Sequence, residues 1–245
     1  MINEDLVSKI QKNLAKVRKN IEDSAYRSGR KSVEIKLLTV TKRKSIKEIE
    51  AALKCGLKVF GENYPEESVP KILHFKESKD IEWHMIGHIQ SRKALIVTKY
   101  FQHVQAIDSL KIAAILNQKL ADIHKSINVL IEVNISGEES KHGFKAVSPE
   151  EWDKLLVEFE KFQHLPNLKI RGLMTMPPLF MDPESVRPYF KKLKLLQSFL
   201  QINLNRFDWT ELSMGTSADY EVAIEEGATV IRLGEAILGP RGGQL

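Results

Sequence analysis

Residues 37–45 read LLTVTKRKS. The apolar, β-branched run Leu37-Leu38-Thr39-Val40 leads through Thr41 into Lys42, Arg43 and Lys44. Such a run has the composition of a buried strand. The residues just after it separate two α/β architectures. An open, doubly wound sheet usually carries a glycine-rich phosphate loop after its first strand, and TKRKS contains no glycine. A closed (β/α)8 barrel places its chemistry at the C-terminal ends of the strands. Alternate side chains diverge along a strand, so Lys42 is expected inside such a barrel and Arg43 outside. The plainer reading of Lys42 is a solvated strand end.

The pattern outward from this stretch favours the barrel. β-branched runs at 35–40, 58–60, 82–86, 103–106, 128–133, 169–174, 209–211 and 229–232 alternate with amphipathic stretches near 46–54, 64–76, 89–98, 109–124, 149–163, 184–203 and 218–226. Strands alternating with helices predict right-handed βαβ units and a parallel sheet. Before them, 3–29 repeats Leu6, Ile10, Leu14, Val17 and Ile21 at helical spacing, with Asn3 as a candidate cap and Gly29 as a stop. The expected fold is a single α/β domain over 1–245, a (β/α)8 TIM barrel with an extra N-terminal helix.

Composition narrows the function. The chain has 245 residues, 42% hydrophobic and 28% charged, with one cysteine. An internal disulfide is impossible and a thiolate-rich metal site is excluded. No apolar run reaches the ~18 residues of a membrane span, and no secretory signal is visible, so a cytoplasmic protein is expected. The net charge of +5 is spread among acids rather than gathered in runs, which argues against nucleic-acid binding.

Candidate residues gather after the strands. SMGTS, Ser213–Ser217, follows the seventh run, and Gly234 and Glu235 follow the eighth. Barrels often hold phosphate between these two loops, and glycine lets backbone N–H groups approach an anion. Ser213, Thr216 and Ser217 add hydroxyls; Ser217 also reads as a helix cap helped by Glu221. Alternation turns Arg232 into the barrel, away from Ile231 and Leu233, where it needs a ligand or an acid as partner. His84 and His88 lie four apart, but on a strand broken by Gly87, so a zinc pair is not expected and His84 reads as a core residue. Cys55 reads as a small buried hydrophobe.

Taken together, LLTVTK, FGENY (60–64), WHMIGHIQSRK (83–93), VNISGEESKHGF (133–144), IRGLMTMPP (170–178) and LSMGTSADYEVAIEEGATVIRLGEAILGPR (212–241) closely resemble the pyridoxal phosphate homeostasis protein family. The resemblance implies a barrel like the alanine racemase N-terminal domain, with pyridoxal 5'-phosphate (PLP) as ligand. It implies a Schiff base on Lys42, phosphate contacts from Ser213, Gly215 and Gly234, Arg232 facing the pyridine nitrogen, and Asn63 and His88 lining the ring pocket; Thr216, a candidate through its hydroxyl, stands where the family usually has Met. A carboxylate repels phosphate, so any contact from Glu235 falls to its backbone N–H. An arginine at the pyridine nitrogen weakens the ring as an electron sink. The implied role is therefore a PLP carrier in cofactor homeostasis, a monomer or weak dimer meeting apo-enzymes transiently, with Lys141 as a candidate relay amine. The alternative is a racemase-like enzyme, which needs a second base such as Tyr64 or Tyr220 and would exchange a substrate α-proton with solvent deuterium.

Overall fold

The computed structural model describes residues 4–78 and 80–240. The chain opens with α1 (Glu4–Arg27) and β1 (Lys36–Val40), then α2 (Ile46–Lys54), β2 (Val59–Glu62), α3 (Pro65–His74), β3 (Glu82–Met85), α4 (Ala94–Tyr100) and β4 (His103–Ile107). Then come α5 (Leu110–Asp122), β5 (Ile127–Asn134), the two-residue β6 (Phe144–Lys145), α6 (Pro149–Glu160), β7 (Leu168–Met174), α7 (Arg187–Asn203), β8 (Glu211–Ser213), α8 (Tyr220–Glu225), β9 (Val230–Leu233) and α9 (Glu235–Leu238). All the pairings are parallel: β1 pairs with both β2 and β9, and β4 pairs with β5. Eight strands therefore close into a TIM barrel, with β6 attached to the end of β5.

Period-two alternation sorts the two faces of the strands. On β5, Val129, Ile131 and Val133 join the main core between barrel and helices, whereas Leu130 belongs to a small separate cluster with Ala106 and Met174. On β9, Ile231 and Leu233 face the main core and the intervening Arg232 is buried outside it. The N-terminal helix forms the expected extra layer: Val7, Ile10, Leu14, Val17 and Ile21 are buried. Asn13 Nδ2 donates to the Ile237 carbonyl, and Asn20 Nδ2 donates to the Tyr220 hydroxyl and to Glu221. The proposed Asn3 cap lies outside the described residues. Cys55 is half-buried rather than fully enclosed, with its thiol near the Val7 carbonyl.

Two differences from the sequence reading bear on the site. The seventh barrel strand begins at Glu211, not Trp209. Trp209 is instead fixed outside the barrel, its Nε1 donating to the Leu204 carbonyl at 2.8 Å and its ring stacked on Phe159. This shift puts Ser213 inside the strand rather than in the loop beyond it. Ser217 does not cap α8, which starts at Tyr220 after Asp219.

A register shift between Val129 and Leu130 opposes a bulge in β7 that ends at Gly172. Its φ is +153°, and a Cβ there would sit 1.8 Å from the Glu211 carbonyl oxygen on β8. Gly172→Ala is expected to destabilise the barrel by about 3 kcal/mol, through overpacking and a strained backbone, read as a lower urea midpoint. An unchanged midpoint would contradict this β7–β8 contact.

Candidate functional site

A cavity of about 470 Å³ opens at the C-terminal ends of the strands. Lys42, Asn63, His88, Lys141, Thr216, Arg232, Gly234 and Glu235 all line it. The structure thus brings together eight residues that the sequence spreads over almost 200 positions. Ser213 and Gly215 are not among the lining residues. The Ser213 hydroxyl lies fully buried between Gln105 and Arg232. Gly215 is buried, and its carbonyl accepts from the Arg232 backbone N–H.

Lys42 leaves the end of β1 in a tightly braced turn. On one side, the buried Lys71 ammonium donates to the Thr41 carbonyl at 2.8 Å and to Glu62 at 2.9 Å. On the other, the Arg43 backbone N–H donates to Glu67, which Lys71 also binds. Arg43 itself sits at φ +58°, a left-handed conformation that is uncommon for an arginine. The brace holds this unfavourable turn and thereby sets the direction of the Lys42 side chain. Lys44 is buried beside it, paired with Glu48 at 3.0 Å.

The loops after β8 and β9 are tied to each other. Ser217 Oγ accepts from the backbone N–H groups of Gly234 (3.3 Å) and Ala236 (3.2 Å). Both amides therefore point toward an acceptor at the boundary of the two loops, the arrangement an anion exploits. Thr216 is anchored differently: its N–H and hydroxyl both donate to Asp219.

On the opposite wall, His88 Nδ1 lies 2.5 Å from Asp108 and its ring stacks on His142 at 4.2 Å. The Asn63 carboxamide oxygen is buried and, among the described residues, has no hydrogen-bond partner. Lys141 rides on a loop organised by Asn134. That side chain accepts from Ser136 and Gly137 and donates to the carbonyls of Glu138 and Lys141.

Arg232 is buried, and burial pulls its pKa down to about 10. Glu132, across the cavity, is pushed up to about 7 by burial and by Asp108, against the pull of Arg232 and His88. Sequence reasoning missed Glu132, Asp108 and His142. Glu132 sits mid-run in a strand, and His142 is visible only as the residue after Lys141 in SKHGF. Neither Tyr64 nor Tyr220 lines the cavity; the Tyr220 hydroxyl is held by Asn20 on α1. His84 is a satisfied core residue, bound to Gln105 and Glu82.

The Glu132 shift carries a sign. The folded carboxyl holds its proton up to about 7, whereas an unperturbed glutamate releases it near 4.5. The unfolded chain therefore binds fewer protons between these values, and this group lowers stability as pH rises through that window, by about 3 kcal/mol in all. Glu132→Gln is expected to flatten that slope in urea unfolding measured from pH 4.5 to 7.5. A slope identical to the wild type would contradict the assignment.

The family model for the alanine racemase N-terminal domain matches residues 12–242. A pyridoxal phosphate homeostasis protein of Vibrio alginolyticus is 40% identical over 96% of this chain and 99% of its own. One from Aquifex aeolicus is 40% identical over 93% and 96%. PipY of Synechococcus elongatus, solved with PLP bound, superposes with a TM-score of 0.81 at 27% identity, over 94% of this chain and all of that one. With its barrel, its N-terminal helix and its full-length similarity to these relatives, the chain belongs to the pyridoxal phosphate homeostasis protein family, within the alanine racemase N-terminal domain group.

Proposed function

We propose that the protein is a cytoplasmic PLP carrier that holds the cofactor in this cavity, attached reversibly through Lys42 Nζ, and passes it on to apo-enzymes. The observation that carries this reading is the convergence on one cavity of the braced Lys42, the buried Arg232, and Gly234 with Ser217, which accepts from the Gly234 amide. PLP carries a dianionic phosphate, an aldehyde and a pyridine ring, and when bound it supplies a reversible electrophile and an electron sink.

The residues present fit each part. The amides of Gly234 and Ala236, now on Ser217 Oγ, are the donors for a phosphate, with Ser217 at its edge. The backbone N–H of Glu235 lies between them in sequence, and its carboxylate is excluded as a phosphate partner by charge. Thr216 shapes this loop, held by Asp219. Asn63, with its unpartnered oxygen, and His88, oriented by Asp108, form the wall beside the ring. Lys42, Lys44, Arg232 and Lys141 give the cavity the positive field that attracts a phosphorylated ligand. Ser213 and Gly215, expected at the phosphate, act from beneath it: Ser213 binds the Arg232 side chain and Gly215 its backbone.

Of the two tyrosines considered as a second base for racemisation, neither lines the cavity. Facing the ring nitrogen, Arg232 in place of a carboxylate would keep that nitrogen unprotonated and disfavour carbanion chemistry, which favours a carrier over a racemase. Lys42→Ala is expected to abolish the visible absorbance that PLP acquires on titration into the protein, while leaving the circular dichroism unchanged. Retention of the full band would refute Lys42 as the anchor.

Lys141 stands at the mouth on the loop organised by Asn134. Its proposed role is to receive the cofactor as it leaves Lys42. Lys141→Ala is expected to slow transfer from loaded protein to an apo-enzyme, with PLP stoichiometry unchanged. An unaltered transfer rate discards the relay.

A further inference from the structure

Arg232 is 4% exposed, and among the described residues its side chain donates to Ser213, Thr175 and Met176 and to no carboxylate. Its guanidinium instead donates to the Thr175 carbonyl and to the first member of a hydrogen-bonded chain of side chains inside the barrel. Arg232 Nη1 donates to Ser213 Oγ at 2.6 Å. Ser213 Oγ donates to Gln105 Oε1 at 2.6 Å. Gln105 Nε2 meets His84 Nδ1 at 3.1 Å, and His84 Nε2 meets Glu82 Oε2 at 3.3 Å. Ser213, Gln105 and His84 are at most 1% exposed. Glu82 opens β3, at the end of the barrel opposite the cavity, where Lys36 and His103 also face it.

The first link dictates the direction of all the others. A guanidinium only donates, so Ser213 must accept, and its single proton goes to Gln105 Oε1. That fixes the amide, whose Nε2 donates to His84 Nδ1. His84 then carries its proton on Nε2, facing the Glu82 carboxylate. The parallel stack with His103, 4.1 Å apart and 6° from coplanar, holds the ring in that orientation. Burial lowers the His84 pKa, against the pull of Glu82, toward the neutral ring that the chain requires.

We infer that Ser213, Gln105 and His84 form a directional relay that couples the Glu82 carboxylate, at the far end of the barrel, to the Arg232 guanidinium in the cavity. They are positioning residues: they aim Arg232 and stabilise its charge without touching the ligand. With the guanidinium so held, the cavity presents a fixed cation to a ring nitrogen. This last consequence rests on the PLP reading above.

Two measurements decide the matter. The first needs no ligand: ¹⁵N-resolved NMR of the imidazoles in the unliganded protein should show His84 protonated on Nε2 and bare on Nδ1. A proton on Nδ1 overturns the relay whatever the protein binds. The second reads PLP affinity and the absorbance maximum of the loaded protein in a double-mutant cycle. Gln105→Leu cuts the relay by leaving the Ser213 hydroxyl and His84 Nδ1 without their buried partners, and is expected to weaken PLP binding ~tenfold and to shift the maximum. Glu82→Gln, remote from the cavity, is expected to weaken binding ~threefold, and this effect should vanish in the Gln105→Leu background. An effect of Glu82→Gln equal in both backgrounds, or absent in both, overturns the coupling. Should Gln105→Leu fail to fold, Ser213→Ala cuts the chain one link nearer Arg232 and is read against the same criteria. If the wild type binds no PLP, the carrier reading fails, while the His84 tautomer still decides the relay.

Discussion

A cation buried inside a barrel is the constraint on which the site depends. Removing a guanidinium from water is costly unless its donors are satisfied, and among the described residues no carboxylate is in ion-pair contact with Arg232. The barrel answers with dipoles: the Ser213 hydroxyl, the Thr175 carbonyl and, through Gln105 and His84, the distant Glu82. That requirement accounts for Glu82, His84, Gln105 and Ser213 on the inner faces of β3, β4 and β8, whose outer faces carry Trp83, Val104 and Leu212. It also accounts for Ser213 lying within β8, bound to Arg232, rather than in the loop beyond that strand.

A second constraint acts at Lys42. The turn after β1 needs a left-handed arginine, and Glu62, Glu67 and Lys71 of the neighbouring β2–α3 unit hold it. Burial raises the pKa of Glu62 while Lys71 lowers it. Backbone strain of this kind persists where surrounding contacts over-determine it. Here it fixes the exit direction of the amine.

Much of this is legible in the sequence because it is carried by period-two alternation. The eight runs, the inward Arg232 and the cluster of lining residues after the strands all follow from which face a side chain takes. Trp209 breaks the pattern because an aromatic beside a strand looks like part of it, whereas its hydrogen bond to Leu204 ties it to the preceding loop. Ser217 looks like a cap because it precedes a helix by three residues, yet its hydroxyl is used across the cavity edge by Gly234 and Ala236. Glu132, Asp108 and His142 are invisible in the sequence for a different reason: their proximity is set by the closure of β4 on β5, a contact no local spacing encodes. The relay from Arg232 to Glu82 likewise joins four strands and exists only once the barrel is shut.

The carrier role stands or falls with one lysine anchoring an aldehyde in this cavity. Borohydride reduction of protein loaded with PLP, then peptide mapping by mass spectrometry, tests it. A single pyridoxyl adduct at Lys42 is expected. An adduct mapped to Lys44 or Lys141 instead, or no stable adduct at all, would contradict that anchor.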